Sequence, residues 1–280
     1  MSLLLALVCA WCFERAAMII SAPNYGSPYN GFGAIDLTYR QEIKAPMSYR
    51  VLVPFLVRWI ERLTHLPRVG IYQGCKLVLN TLMFWSVGQA FGLNAALLTG
   101  LLLLLTVKFD YWSWAPEVAG VALAMTGEWS YALTGGVLAA FSKETALLVP
   151  VAFFLRTMDP VGSVIVLMGT GLVFIGVRLA VGERELYCER FQVHYNLGLF
   201  KHFLQRDFWR QGQWYHQDIF IAVALTGLVV AGAIAQPSLV QLVPLALLAA
   251  GWTLAKADET RVFAAVLPFI ASFLLGGWYG

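Results

Sequence analysis

Long apolar runs separated by polar connections organise this chain. Residues 3–20, 69–88, 89–107, 161–181, 217–236, 238–256 and 261–279 are close to uninterrupted apolar stretches, each near the roughly 20 residues that a helix needs to cross a hydrocarbon core. Two more, 114–126 and 130–155, are short or interrupted. Backbone in lipid must satisfy its own hydrogen bonds, and these runs lack the alternation of barrel strands, so the pattern predicts helices. It predicts an all-α, polytopic integral membrane protein with about eight to ten transmembrane or re-entrant helices, in a single transmembrane domain over residues 1–280.

The interruption in 130–155 sets the topology. Tyr131 to Leu155 is apolar except for Ser142-Lys143-Glu144-Thr145, and charges in mid-span cost about 2.5–3.5 kcal/mol each on insertion scales. Adjacent residues point about 100° apart on a helix, so Lys143 and Glu144 do not neutralise each other along one face. A broken or re-entrant helix with this tetrapeptide at its apex is expected. The alternative is one long helix whose charges find partners on neighbours. Only the re-entrant arrangement brings the polar loops 21–50 and 182–216 to the same side.

Behind the first loop, residues 48–65 read SYRVLVPFLVRWIERLTH. Arg50, Pro54, Arg58, Glu61, Arg62 and His65 fall within a wedge of roughly 120° at helical spacing, and apolar side chains cover the rest. The apolar core is too short to span, so an amphipathic helix lying in the interface is predicted. The loop before it, SAPNYGSPYNGFGAIDLTYRQEIKAPMSYR, sets Asp36 among aromatics, glycines and basic residues.

Composition agrees with burial in lipid. The chain is 59% hydrophobic and 12% charged, with a mean hydropathy of +0.70, more apolar surface than a soluble domain of this size buries. The net charge of +3 comes from basic residues scattered between the runs, without the continuous stripe that nucleic acid demands. The first segment has no basic residue before its apolar run and carries Glu14 and Arg15 within it, so it reads as a retained helix and not a signal peptide. Cys9, Cys12, Cys75 and Cys188 form no disulfide framework, and Cys9-Ala-Trp-Cys12 lies inside an apolar run where cysteine packs as a small hydrophobe.

Candidate chemistry is confined to the connections. Lys108 to Glu117, KFDYWSWAPE, carries Asp110 and Glu117 among aromatics that favour headgroup depth. Residues 182–217 hold His194, His202 and His216, whose spacing matches no compact metal-ligand motif; a partly helical cap is predicted there. Ala255 to Arg261, AKADETR, sets Asp258, Glu259 and Arg261 where a late helix begins, an arrangement suited to helix capping or to holding an anion. No GxSxG, HExxH, Walker loop or paired Asp-rich prenyl-diphosphate motif occurs, which excludes most serine hydrolases, zinc proteases and nucleotide-driven pumps. No internal repeat of the kind common in transporters is evident.

This layout resembles the C-type (GT-C) glycosyltransferases, membrane enzymes that take sugars from polyprenyl-phosphate carriers. The resemblance is carried by Asp36 and the interfacial helix after the first span, by the acids Asp110 and Glu117 in the second loop, by Ser142-Lys143-Glu144-Thr145, which is similar to an Arg/Lys-Glu-Thr element of small bacterial members, and by Asp258-Glu259-Thr260-Arg261-Val262-Phe263 with Pro268. It implies transfer of a sugar to an acceptor hydroxyl, with Asp36 as base and Arg50, Arg261 and Lys143 facing the departing polyprenyl phosphate. Asp110, Glu117, Glu144 and Glu259 would complete the substrate site. No cofactor is implied, and a divalent metal at Asp36 and Asp110 has no support, since the first loop lacks a paired Asp-Glu or Asp-x-Asp. The resemblance puts loops 21–68 and 182–216 on the extracytoplasmic side of a bacterial inner membrane, whereas the basic residues after the first helix would by themselves put the first loop in the cytoplasm. Two other classes fit the pattern: a transporter or channel using Lys76, Asn80, Lys143 and Glu144, and a non-catalytic membrane scaffold subunit.

Overall fold

A computed structural model describes residues 1–21, 51–106, 114–142, 144–182, 192–203, 215–254 and 260–277. Among these residues the chain is all-α and has no strand. Twelve α-helices are formed: α1 Leu3–Ser21, α2 Leu52–Thr64, α3 Arg68–Ala90, α4 Leu93–Thr106, α5 Trp114–Met125, α6 Trp129–Ala140, α7 Leu148–Thr157, α8 Pro160–Val181, α9 Val193–Phe203, α10 Tyr215–Ala235, α11 Leu242–Leu254 and α12 Leu267–Leu274. Short 3-10 segments lead into α7 (Glu144–Leu147), α11 (Leu239–Gln241) and α12 (Thr260–Val266).

Local sequence explains the sharpest boundaries. Asp159 accepts hydrogen bonds from the amides of Val161 and Gly162 at 3.0 and 3.1 Å, with Pro160 at the first helical position, so α8 starts on a side-chain cap and a preset φ. The boundary expected between the runs 69–88 and 89–107 falls close to the observed turn: α3 ends at Ala90, and Gly92 turns the chain with φ +89 before α4 starts at Leu93. The runs 238–256 and 261–279 are part 3-10 and part α-helix.

Helix directions follow from a few contacts. The side-chain amide of Gln89 donates to the carbonyl of Met1 at 2.9 Å, while Lys76 reaches Glu14, so α1 and α3 run antiparallel. Gly120 and Gly135 let α5 and α6 touch backbone to backbone: a Cβ on Gly135 would lie 2.8 Å from the Gly120 Cα. Arg156 Nε donates to the Met125 carbonyl at 3.2 Å, and Thr145 at the other end of that segment bonds Glu117. Thus α7 runs parallel to α5 and antiparallel to α6.

The chain therefore reverses at 141–147, as the broken-helix expectation had it, and does not continue as one long helix. Gly136 of α6 faces Thr170 of α8, ten residues or about 15 Å along that helix. The reversal stands about 21 Å along α8, and about 12 Å of α8 continues past it.

Tight connections collect at one end of the bundle, at 91–92, 126–128, 158–159 and 236–238. At the opposite end lie Ser21, Val51, the reversal and the start of α5. Two helices among the described residues are long and apolar enough to cross a membrane, Leu3–Ser21 and Pro160–Val181; the other apolar helices are shorter. In α8 only Gly162, Val166, Thr170 and Val177 are buried, whereas Val161, Val164, Ile165, Leu167, Met168, Leu172, Ile175 and Leu179 are exposed. By contrast α5 is buried along its whole length and forms the centre of the core.

Candidate functional site at the helix reversal

Glu117 sits in the first turn of α5, where its charge is favoured by the helix dipole and where Pro116 is tolerated because the amide it lacks would be unpaired anyway. The residue is 1% exposed. Its Oε1 accepts a hydrogen bond from the Thr145 hydroxyl, 28 positions along the chain. A buried carboxylate needs such donors to remain in an apolar surround.

The reversal beside it is built from helix ends. Ser142 bonds the carbonyl of Ala139 through its amide at 2.8 Å and that of Leu138 through its hydroxyl at 2.9 Å, which closes α6. The Phe141 carbonyl accepts from the amides of Val51 and Leu52 at 3.0 and 3.3 Å. Amides at the start of one helix thereby satisfy a carbonyl at the end of another. The chain returning from the first polar loop is thus tied to the reversal that carries Thr145. The 3-10 segment Thr260–Val266 also packs on α5, and on α10 and α11.

A second polar contact lies between α1 and α3. Lys76 Nζ is 2.7 Å from Glu14 Oε2, with the two side chains 2% and 12% exposed. Asn80, one turn beyond Lys76, donates through Nδ2 to Glu14 Oε1, and Lys76 lies over the Tyr72 ring. The pair sits about 10–12 Å from the Ser21 and Arg68 ends of its helices, much as the reversal stands about 12 Å short of the end of α8. Phe13 packs α1 onto both α5 and α3, edge-on to Trp114 at 5.4 Å and to Phe84 at 5.9 Å.

Of the residues expected from the sequence, Glu117 is buried against the reversal. The backbones of Glu144 and Arg261 lie in the two 3-10 segments that contact α5, while their side chains lie outside the described residues. Asp36, Arg50, Asp110, Lys143 and Glu259 also lie outside the described residues, and with them the Asp36 to Arg261 separation. The pairing of Glu14 with Lys76 and Asn80 was not foreseen. Its signal was available: an acid in one apolar run, and a base and an amide four apart on one face of another. Among the described residues no group of three or more His, Cys, Asp or Glu could hold a metal ion. No protein-family model, curated protein or solved structure matches the chain.

Proposed function

We propose that this chain is a polytopic membrane glycosyltransferase that moves a sugar from a polyprenyl-phosphate donor to an acceptor hydroxyl. The observation that carries the reading is the meeting of Glu117 and Thr145 at a reversal that also receives the chain returning from the first polar loop. Membrane residence is supported by the exposed apolar face of α8, because contiguous exposed apolar surface of that extent is unusual on a soluble monomer. On α2, Phe55, Trp59 and Leu63 are exposed beside Arg58 and Arg62, the composition of a helix lying among headgroups.

In this reading the acceptor oxygen bonds to the sugar C1 as the bond from C1 to the phosphate oxygen breaks. Asp36 takes the hydroxyl proton, and the polyprenyl phosphate leaves with the bonding electrons. Arg50, Arg261 and Lys143 offset its growing negative charge. Glu117 and Glu144, with Asp110 and Glu259, bind the sugar. The test is transfer by purified protein from a panel of polyprenyl-phosphate sugars, comparing wild type with Asp36→Asn. Absence of transfer from every donor would sink the enzyme reading, and unchanged transfer in the variant would sink the assignment of the base.

The buried Glu14–Lys76 pair favours a second reading as a transporter, since ionised groups inside apolar helices often mark a transport path. Flux of a labelled polar solute through proteoliposomes, without covalent transfer, distinguishes the two.

A further inference from the structure

The Glu14, Lys76 and Asn80 cluster has no role in the transfer chemistry above, yet it holds an ion pair and an amide almost wholly withdrawn from solvent. Glu14 divides its oxygens, Oε2 to Lys76 and Oε1 to Asn80 Nδ2. That division fixes the amide's orientation: turning Asn80 over would set its oxygen against the carboxylate. The Asn80 Oδ1 is then directed away from Glu14, with less than 1 Å² of its surface open, and it accepts no hydrogen bond among the described residues. A buried acceptor left without a donor costs about 1–3 kcal/mol, and such atoms in native proteins call for a functional or solvent explanation.

We infer that Asn80 Oδ1 is the anchor of a sugar-hydroxyl subsite between α1 and α3. Three features point to that chemistry. The orphan oxygen belongs to an amide already bonded to the Glu14 carboxylate, so an anion beside it is disfavoured. The orphan atom only accepts, so the ligand supplies an O–H or N–H. Aromatic rings stand near it: Phe84 lies one turn beyond Asn80 on α3 and meets Phe13 edge-on at 5.9 Å, Phe13 meets Trp114 at 5.4 Å, and Trp114 stands one turn before Glu117 on α5. Asn80 is closed off between α1 and α3 in this conformation, so a ligand reaches it as those two helices part. The inference rests on the glycosyltransferase reading for the identity of the hydroxyl as a sugar's, and it supplies that reading with a specificity-determining residue.

The experiment measures binding and not transfer, so the two ideas fail separately. Full-length protein in lipid nanodiscs is heated with methyl glycosides of glucose, galactose and mannose, and with their single-deoxy analogues. At least one glycoside should raise the wild-type Tm by about 2 °C or more, and one of its deoxy analogues should not. Asn80→Leu should abolish the shift. The comparison of each glycoside with its deoxy analogue needs no variant and stands even if Asn80→Leu fails to fold. No shift with any glycoside means that the orphan oxygen holds only water, and overturns the subsite. A shift of equal size with every deoxy analogue, or one retained in Asn80→Leu, also overturns it. Binding without transfer in the donor panel would leave the subsite standing and the enzyme reading sunk.

Discussion

Lys76 and Glu14 meet at 2.7 Å between two apolar helices, with the lysine side chain almost wholly withdrawn from solvent. Removing one partner strands the other in an apolar surround, and breaking a buried pair in this way costs about 3–5 kcal/mol. Lys76→Met alone is therefore expected to be strongly destabilising, and Glu14→Gln with Lys76→Met together distinctly less so. A double-mutant cycle that includes both single variants, read by thermal unfolding in detergent, checks this; a double-variant loss equal to the sum of the two single losses would show that the pair carries no coupling.

Thr145 is expected to act through Glu117 and not on substrate directly. Thr145→Val should lower transfer by about a hundredfold, the scale at which a small misplacement is felt, while Thr145→Ser keeps the hydroxyl and should restore most of it. Failure of the serine variant to rescue would assign the effect to packing. Circular dichroism run in parallel excludes general unfolding.

Close helix contact predicts a contrast between glycines. Gly120 and Gly135 meet so tightly that an added Cβ would lie 2.8 Å from backbone atoms of the facing helix, whereas Gly74 has nothing within 4 Å of its added Cβ. Gly120→Ala should cost about 1–3 kcal/mol through overpacking. Gly74→Ala should be neutral or stabilising by up to about 1 kcal/mol, since alanine is the better helix former. Melting temperatures of the two variants settle the contrast.

The two ends of the bundle differ in accessibility if the chain spans a membrane. Cysteines introduced by Glu128→Cys and Ser238→Cys, both in tight turns at one end, should be modified together by an impermeant thiol reagent in intact cells or sealed vesicles. A cysteine from His65→Cys, at the other end, should be modified from the opposite side. Labelling of Glu128→Cys and His65→Cys from the same side would refute the arrangement. Which side each label enters from decides between the charge bias of the first loop and the orientation implied by the resemblance.

Hydropathy found α1 and α8 to within a residue, because each is one apolar run with a clear end: 3–20 became Leu3–Ser21 and 161–181 became Pro160–Val181. It also found the break at 142–145, since two adjacent charges cannot both hide on one helix face. It placed a boundary close to the turn at Gly92 but missed the 3-10 segments before α11 and α12, because apolar side chains mark burial and not backbone conformation. The candidate site was legible only in part. Glu117 was identified as a candidate by its place in an aromatic loop, yet its bond to Thr145 is a long-range contact that no local pattern encodes, and the pairing of Glu14 with Asn80, 66 positions apart, showed in the sequence only as an acid in one apolar run and a base and an amide in another.

The reversal at 141–147 has a bearing on how the chain is made. The long-range hydrogen bonds described for it, from Val51 and Leu52 to the Phe141 carbonyl and from Thr145 to Glu117, all involve partners that precede it in the sequence. By the time Phe141 and Thr145 emerge during synthesis, the groups that bond the Phe141 carbonyl and the Thr145 hydroxyl have already been delivered. A segment that would be poorly tolerated alone among apolar helices therefore arrives at a prepared position, and a permuted chain that produced residues 129–157 first would lose that order.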